Sequence, residues 1–499
     1  RYGTSSEWGI NFGRYIGRKN EQVFWAPLPR QDNLYRVSYA GTLAQLDVPV
    51  RRSVTVTPYA LSSAQKVPAV TSNFDYPFEA GADAKIGITP ALSLDLTLNT
   101  DFAQVEVDNE QMDLTRFSLF FPEKRPFFLE NAGRFAVGNN SSAQMFFSRR
   151  IGLSEGEAIP VWVGARLTGK VGPVTVGALN VQTGDAPDGG ALRTNFSVVR
   201  VKHEIMSRSS IGLLATHRTR MISQDGSNTV LGLDAQFQFL TDWEINSYYA
   251  RSSTPKGVGD DASYRAQVAY NGDRYGLQIG HLMVGDDFSP EVGFMRREDF
   301  RLNSARVRFS PRLFSSRSIR RLVWQASFNH ITDASSDVLE SRQAQVTFRT
   351  ELESGDMWSI QYTHRYEFLD SDFIIAQDVA IPVGAYRFGA VSTTYSLNQQ
   401  HRLSGRLNAE YGSFFDGDRT AIGYSGRIKL SPRFSLEPSL SQNWLDLVDG
   451  AFNTQLVTVR AIVTPSARSA LSSLIQYNSR NSAWSSNVRF RWEYSPGSE

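Results

Sequence analysis

From Ala158 to Tyr494 the sequence repeats one unit: roughly ten to fifteen residues that alternate apolar and polar, then a turn. Leu231, Leu233, Ala235, Phe237 and Phe239 fall on one face of such a unit, and Gly232, Asp234, Gln236 and Gln238 on the other. A period of two belongs to a strand that is wet on one side. Strands of soluble sandwiches mostly run about five or six residues, so a large soluble β protein with ordinary core aromatics is the weaker alternative. The pattern fits an all-β chain forming a large antiparallel transmembrane β-barrel, in which every backbone group pairs within the sheet and one face meets lipid.

Composition narrows the classes further. The 499 residues are 41% hydrophobic and 12% aromatic, and no apolar run reaches the roughly 18 residues of a membrane-spanning helix. A barrel needs only half of each strand to be apolar. The 52 basic and 50 acidic residues leave a net charge of +2, without the basic excess of a nucleic-acid-binding surface, so nucleic acid is not an expected partner. There are no cysteines, which excludes disulfides and thiolate chemistry. Arg1 opens on mature-looking sequence, as expected of an exported chain that has been processed or trimmed.

Short and long connections alternate. Tight turns are expected near Gly172-Pro173, Thr241-Asp242, Asn271-Gly272-Asp273, Ser354-Gly355-Asp356, Ser431-Pro432-Arg433 and Thr464-Pro465-Ser466. Longer polar loops fall between them, the stretch from Asp370 to Pro382 promising the largest excursion at the cell surface. Short periplasmic turns and longer outer loops are the habit of outer-membrane barrels. About nineteen strands fit between 158 and 494. Segments near 36–46, 51–62, 77–88, 92–107 and 142–151 bring the expected total to about 24, within a range of roughly 22 to 26. The upstream alternation of connections joins the later one only if 115–138 adds a strand.

Face assignment follows from the alternation. Trp358, Ile360, Tyr362 and Phe368 should face lipid, and Ser359, Gln361, Thr363, Arg365 and Glu367 the lumen. Ala344, Val346 and Phe348 oppose Gln343, Gln345, Thr347 and Arg349 in the same way. The lumen is therefore expected to be polar and charged, lined by Arg166, Arg265, Arg349, Arg365, Arg406, Arg427 and Arg489. Trp243, Trp358, Trp444 and Trp484 sit near strand ends, where an indole anchors at headgroup level.

One segment breaks the period. Residues 108–140 read DNEQMDLTRFSLFFPEKRPFFLENAGRFAVGNN, two diphenylalanine pairs flanking a charged triplet between prolines. Irregular backbone cannot face lipid, so the segment either enters the lumen as a plug or lies outside the membrane as a flap. Phe120, Phe121, Glu123, Lys124, Arg125, Phe127, Phe128 and Glu130 are its candidate plug or gating residues. The cations there need carboxylate partners and the rings need shelter.

The same stretch carries a resemblance. NTDFAQVEVDNEQMDLTRFSLFFPEKRPFFLENAGRF, followed by FFSRRIG at 146–152 and GARLTGKVG at 164–172, resembles the barrel region of the family called domain of unknown function 5916. Members of that family carry an N-terminal β-sandwich similar to carbohydrate-binding module family 9. WGINFGRYIGRKNEQVFWAPLP at 8–29 and YRVSYAGTL at 35–43 resemble the end of that sandwich and its junction. The resemblance thus implies a division into 1–48, the remnant of the sandwich, and 49–499, the barrel with its insertion. Most of the sandwich is missing, so glycan binding cannot be placed on residues here. The chain also stops at RWEYSPGSE, where members are expected to continue through closing strands.

Catalytic readings find little support. The histidines His203, His217, His281, His330, His364 and His401 are scattered, with no metal-ligand spacing. No nucleophile elbow occurs, and Gly257-Val258-Gly259 lies in a polar loop with no helix after it, which makes a phosphate cradle improbable. Asp101, Glu106, Asp108, Glu110 and Asp113 form an acidic set without the order of a calcium loop, read more simply as a solvated edge or as partners for the insertion's cations. No catalytic residue, metal or cofactor is expected. Two functions remain: a plugged or gated outer-membrane conduit for carbohydrate-like or anionic solutes or polymers, and a surface anchor or assembly platform for a glycan- or partner-binding domain. Expected partners are outer-membrane lipid and lipopolysaccharide, a glycan ligand, and a periplasmic or surface protein.

Overall fold

The computed structural model describes all residues except 1–5, 17–20, 29–32, 36, 47–52, 63, 65–75, 77, 101–107, 140–141, 155–156, 186–191, 207, 221–225, 256–258, 314–315, 496–497 and 499. Its core is an antiparallel barrel sheet of 22 strands. Nineteen of them run in unbroken chain order from Val161–Val171 to Ala483–Trp492. Val54–Ser62, Phe78–Thr89 and Leu92–Leu98 precede them, and Leu92–Leu98 pairs with Val161–Val171 across the insertion. In the strand order Val54–Ser62 neighbours Ala483–Trp492; paired registers are described at every junction except that seam.

The count sits at the low end of expectation because two upstream segments do not join the sheet. Gly41–Leu46 pairs with Ser6–Ile10 in a separate two-stranded sheet. The 142–151 stretch contributes only Ala143–Gln144, which pairs with Gly138–Asn139 and with Phe294–Met295. Its Met145 and Phe146 are neighbours in sequence and both buried, so it has no lipid-facing side to offer a barrel. No strand is needed from 115–138 either. The long connection 63–77, the tight one at Pro90-Ala91, the long insertion and the turn at Gly172-Pro173 already alternate, and the insertion hangs from the long-loop rim.

The outer face shows a membrane band. At the short-turn rim Trp243 meets Tyr270, and Tyr275, Phe309, Trp324, Phe348 and Trp358 form a row of adjacent rings with centroids 5.4 to 6.3 Å apart. This is the aromatic girdle expected where strands leave hydrocarbon. Trp444 and Trp484 lie at the opposite rim, Trp484 against Tyr477. Leu231, Leu233, Ile279, Val346, Ile360 and Ile422 are exposed between the rims. Towards the long loops the outer face turns polar: Asn180 donates to Asn195 and Ser197, and His217 bonds Thr229 and Thr219. In Asn228–Phe239 the apolar outer positions run from Leu231 to Phe239, with Thr229 just above them. That fits the roughly 9 to 11 residues a tilted strand needs to cross a bilayer.

Asp370 to Pro382 is a correction. It forms a small hairpin, Phe373–Ala376 with Val379–Ile381, whose Ile375 and Ile381 are buried against Leu369, Phe388, Phe414 and Leu445. The stretch folds onto an apolar cluster instead of extending outward. A slightly longer connection joins Val284 to Phe300 and supplies the strand that pairs with the insertion.

Candidate functional site

The described residues between Asn99 and Pro160 leave the sheet at the long-loop rim and pack on inward-facing side chains of strands far apart around the barrel. Pro126 opens a single helical turn, Pro126–Leu129, which a proline at the first position favours. That turn sets Phe127 and Phe128 edge to face at 5.1 Å. Phe127 lies over Gly164 and Phe135 over Gly177, where a Cβ would stand 3.1 Å and 2.8 Å from the rings. Glycine at these two wall positions is what lets the insertion approach the strands. Phe128, Phe135, Val137, Ala143, Met145, Phe146 and Ile151 then join Leu179, Val181, Phe196, Val198, Leu214, Val230 and Phe288 in one buried cluster.

This cluster corrects the expectation of a uniformly polar lumen. The inner face is apolar in the long-loop half of these strands and becomes charged only nearer the short turns. Arg200 bonds Asp234 at 2.7 Å there. Arg265, Gln267, Gln278, Arg306, Gln325, Ser327 and Gln345 line a cavity of about 310 Å³ on the same level. The inversion of the outer face to polar at the long-loop rim has the same cause: above the hydrocarbon band a strand has water outside and the insertion inside.

The charged triplet is tied within the insertion. The Arg125 guanidinium donates to both Glu123 carboxylate oxygens (2.8 and 2.7 Å), to the Ile151 carbonyl at 2.5 Å and to the Ser148 carbonyl at 2.6 Å, and it lies 4.2 Å from the Phe128 ring centre. Glu123 also accepts from the Ser148 hydroxyl at 2.6 Å and from the backbone N–H groups of Lys124 and Arg125. Burial alone would push the Glu123 carboxyl up, but the Arg125 hydrogen bond and charge, with Ser148 and the backbone donors, outweigh it and hold the carboxyl below the usual range. Lys124 pairs with Asp108 at 3.1 Å, and Arg149 with the same carboxylate at 2.5 Å. Phe120 packs between Phe147 and Phe294, and Phe121 lies under Arg149.

Contacts with the wall come from several sides. On one, buried Arg166 bonds Asp95 at 2.9 Å and donates to the carbonyls of Phe127 and Glu130. The Glu130 side chain meets Lys85 and lies 3.5 Å from Arg166; the Lys85 hydrogen bond outweighs burial and lowers its pKa. On others, Arg116 pairs with Glu340 at 2.7 Å, and Gln476 accepts from the Glu110 N–H at 2.9 Å. Arg480 holds the carbonyls of Asp113 and Ile375 at 2.8 and 2.6 Å. Asp108 of the acidic set thus takes two cationic partners, whereas Glu110 is tied through its backbone N–H, and Asp101 and Glu106 lie outside the described residues. No group of three or more metal-ligating side chains occurs among the described residues.

The seven arginines expected in the lumen all have inward strand parity, and they divide by surroundings. Arg166 is consumed by the insertion. Arg265 donates to Gln267, Arg349 lies 3.8 Å from Glu351, and Arg427 bonds Glu437 at 2.8 Å. Arg406 and Arg427 line a cavity of about 710 Å³ near the short turns, and Arg489 pairs in register with Ser472. Arg365 faces a third cavity. Sequence reasoning missed Asp95, Lys85, Arg116, Glu340 and Phe135. Arg116 and Phe135 stand in the irregular segment itself, Asp95 and Lys85 look like any inward polar residue of an alternating strand, and Glu340 falls on the outward phase and is turned by a register shift between Leu339 and Ser341.

Comparison with known proteins adds the following. Residues 48–160 match the family model described as a domain of unknown function, DUF5916. That span takes in the first barrel strands and the insertion. No curated protein matches. Among solved structures the chain is similar to the outer-membrane protein OpdK of Pseudomonas aeruginosa, crystallised with vanillate, at 14% identity over 60% of this chain and 93% of that one, with a TM-score of 0.37. An improved structure of OccK1 (OpdK) from the same organism aligns at 13% identity over 64% of this chain and 94% of that one, also with a TM-score of 0.37.

Proposed function

We propose that this chain is a non-enzymatic outer-membrane conduit for anionic or carbohydrate-like solutes, closed at rest by the 108–140 insertion acting as a plug. The observation that carries the reading is the set of wall contacts. A surface flap has no cause to take partners from Arg166, Glu340 and Gln476 on strands far apart around the wall, and from Arg480 in the turn that follows the last of these strands. The girdled outer face supports insertion in a membrane, and the short turns then face the periplasm. The polar cavities below the insertion, with Arg265, Arg406 and Arg427 on their walls, favour anions or polyhydroxylated solutes over apolar ones.

Movement of the insertion is driven by a partner, because its own packing is tight. The small N-terminal sheets, with exposed Trp8 and Trp25, supply a candidate surface for a glycan or a periplasmic protein. Arg208, at a short turn, lies 4.5 Å from the Tyr39 ring centre and connects the two parts.

A second reading, an anchor that never opens, is favoured by the dryness of the cluster around Met145 and Ile151, both fully buried. Planar-bilayer conductance separates the two. Deleting 108–140 is expected to raise conductance sharply, since a barrel of about 22 strands is wide enough to need filling. Unchanged conductance in a folded deletion variant supports the anchor.

A further inference from the structure

The third cavity, of about 450 Å³, lies between residues 112–117 of the insertion and the wall around Arg365 and Phe388. Its two sets of lining residues are chemically distinct. One is apolar: Phe373, Phe388, Phe414 and Phe415, with Phe415 centred 5.0 Å from Phe388 and 4.9 Å from Phe414. The other is cationic: Arg116, Arg296, Arg365 and Arg419. Arg297, stacked 3.9 Å from the Phe117 ring centre, adds a fifth guanidinium. Glu340, Glu367 and Glu410 are the carboxylates that face this group, which leaves two positive charges in excess.

Two guanidiniums are left over, Arg296 and Arg365, and only Arg365 is withdrawn from solvent. Arg116 and Arg297 share Glu340, and Arg419 takes Glu410 at 3.3 Å and the Asn443 side chain at 2.9 Å. Among the described residues no hydrogen bond or ion pair uses the guanidinium of Arg365, which stands half-buried between the two sets. Glu367 shares the cavity with it, but a half-buried guanidinium beside aromatic rings that makes no close pair of its own still lacks hydrogen-bond acceptors, which is costly unless something supplies them.

Backbone strain points the same way. Phe415 has a φ of +52°, a left-handed conformation that is strained for a bulky side chain and persists where surroundings enforce it. Glycine or asparagine would sit there without strain. In this conformation the ring packs against Phe373, Tyr386, Phe388 and Phe414.

We propose that this cavity binds a small aromatic carboxylate or sulfonate, its anionic group on Arg365 and its ring against the phenylalanine cluster. The volume falls in the range of small-molecule sites, about 300 to 1,000 Å³. A sugar acid would satisfy the guanidinium but leave the phenylalanine wall unmatched, and a neutral arene would leave the charge. The proposal deepens the conduit reading by naming a solute class. Binding is measured in the closed barrel, however, so it stands or falls separately from conductance.

The test is calorimetric titration of the full chain in detergent micelles with 2-naphthoate, against protein-free micelles, with 2-naphthylmethanol and glucuronate as the neutral and the sugar-acid comparators. Saturable one-to-one binding of 2-naphthoate, at least about tenfold tighter than either comparator, is expected, as is a loss of about tenfold or more in Arg365→Gln. Phe415→Gly, which relieves the strained φ while removing the ring, should weaken 2-naphthoate binding in a barrel that still resists unfolding in dodecyl sulfate. No saturable binding, equal binding of either comparator, or full affinity in both variants overturns the proposal.

Discussion

The two halves of the barrel interior are built from the same strands and solve opposite solvation problems. In Thr194–Met206, Phe196 and Val198 point inward and are buried, and the next inward positions are Arg200 and Lys202. On the outer face of that strand Asn195 and Ser197 come first, then Val199 and Val201, both exposed. The phase of the alternation never changes; the chemistry on each phase exchanges at about Val199. Near the long loops the strand is that of a soluble protein, dry inside and wet outside. Near the short turns it is that of a membrane barrel, with lipid outside and a polar interior. The insertion is what makes the first half possible on these strands, because it supplies, with Phe288 and Val292 of the 285–299 connection, the apolar surface that covers their inner face.

The comparison breaks most visibly if a charge is tolerated equally in both halves. Val198→Asp would bury an unpaired carboxylate in the cluster around Phe128 and Phe135, at a cost of about 3 to 5 kcal/mol. Ser327→Asp, on the polar inner wall, should stay within about 0.5 kcal/mol. Urea unfolding of the two variants in matched micelles measures the difference, and equal midpoints would mean that the long-loop half is hydrated after all.

The outer face gives the next largest contrast. Leu233→Arg places a guanidinium in the middle of the apolar band and should cost about 2 to 4 kcal/mol, whereas Thr229→Arg, on the same strand and face, should cost about 0 to 1. Folding yields into vesicles across a denaturant series read both. A large penalty at Thr229 would move the membrane boundary towards the long loops and shorten the soluble half.

What was legible in the sequence follows the same division. The nineteen strands from Val161 onward were readable because alternation and turn chemistry are local, and Leu233, Ile360 and Tyr424 lie on the face expected for them. The exchange of faces was not, since period two reports that two faces differ and not what covers each. A weak signal existed in Val198-Val199 and Met145-Phe146, adjacent apolar pairs that leave no side for water. The site was legible only in part. Arg125 and the diphenylalanine pairs announce themselves by breaking the pattern, but Asp95 meets Arg166 only because two strands pair across the insertion, and Glu340 and Gln476 meet it only because the sheet brings residues hundreds of positions away beside it.

Within the insertion, a milder loss tests whether the dry half depends on its polar staple. Arg125→Ala should destabilise the segment by about 2 to 3 kcal/mol. That is below the usual cost of breaking a buried pair, because Glu123 keeps the Ser148 hydroxyl and two backbone donors. Faster proteolysis within 108–140, with the strands intact, is the expected reading. Unchanged protection would assign the anchoring to the phenylalanines alone.

The smallest effect is the dependence on pH, and its sign follows from Glu123. Its carboxyl is held below the usual glutamate range in the folded chain, so the folded state favours the ionised form. The resulting stabilisation is fully present above the ordinary value of about 4.3 and is lost as pH falls from there through the lowered native value. Protonation then leaves Arg125 with a neutral partner beside Phe128, in a part of the interior with little water to compensate. Protease accessibility of 108–140 should therefore stay flat at neutral pH and rise on acidification below about pH 4. Glu123→Gln should show elevated accessibility at neutral pH and a shallower acid rise, since the group that titrates is gone. An acid rise of equal steepness in Glu123→Gln would transfer the effect to Glu130, whose carboxyl is also held low, and with it the point at which the insertion is fastened to the wall.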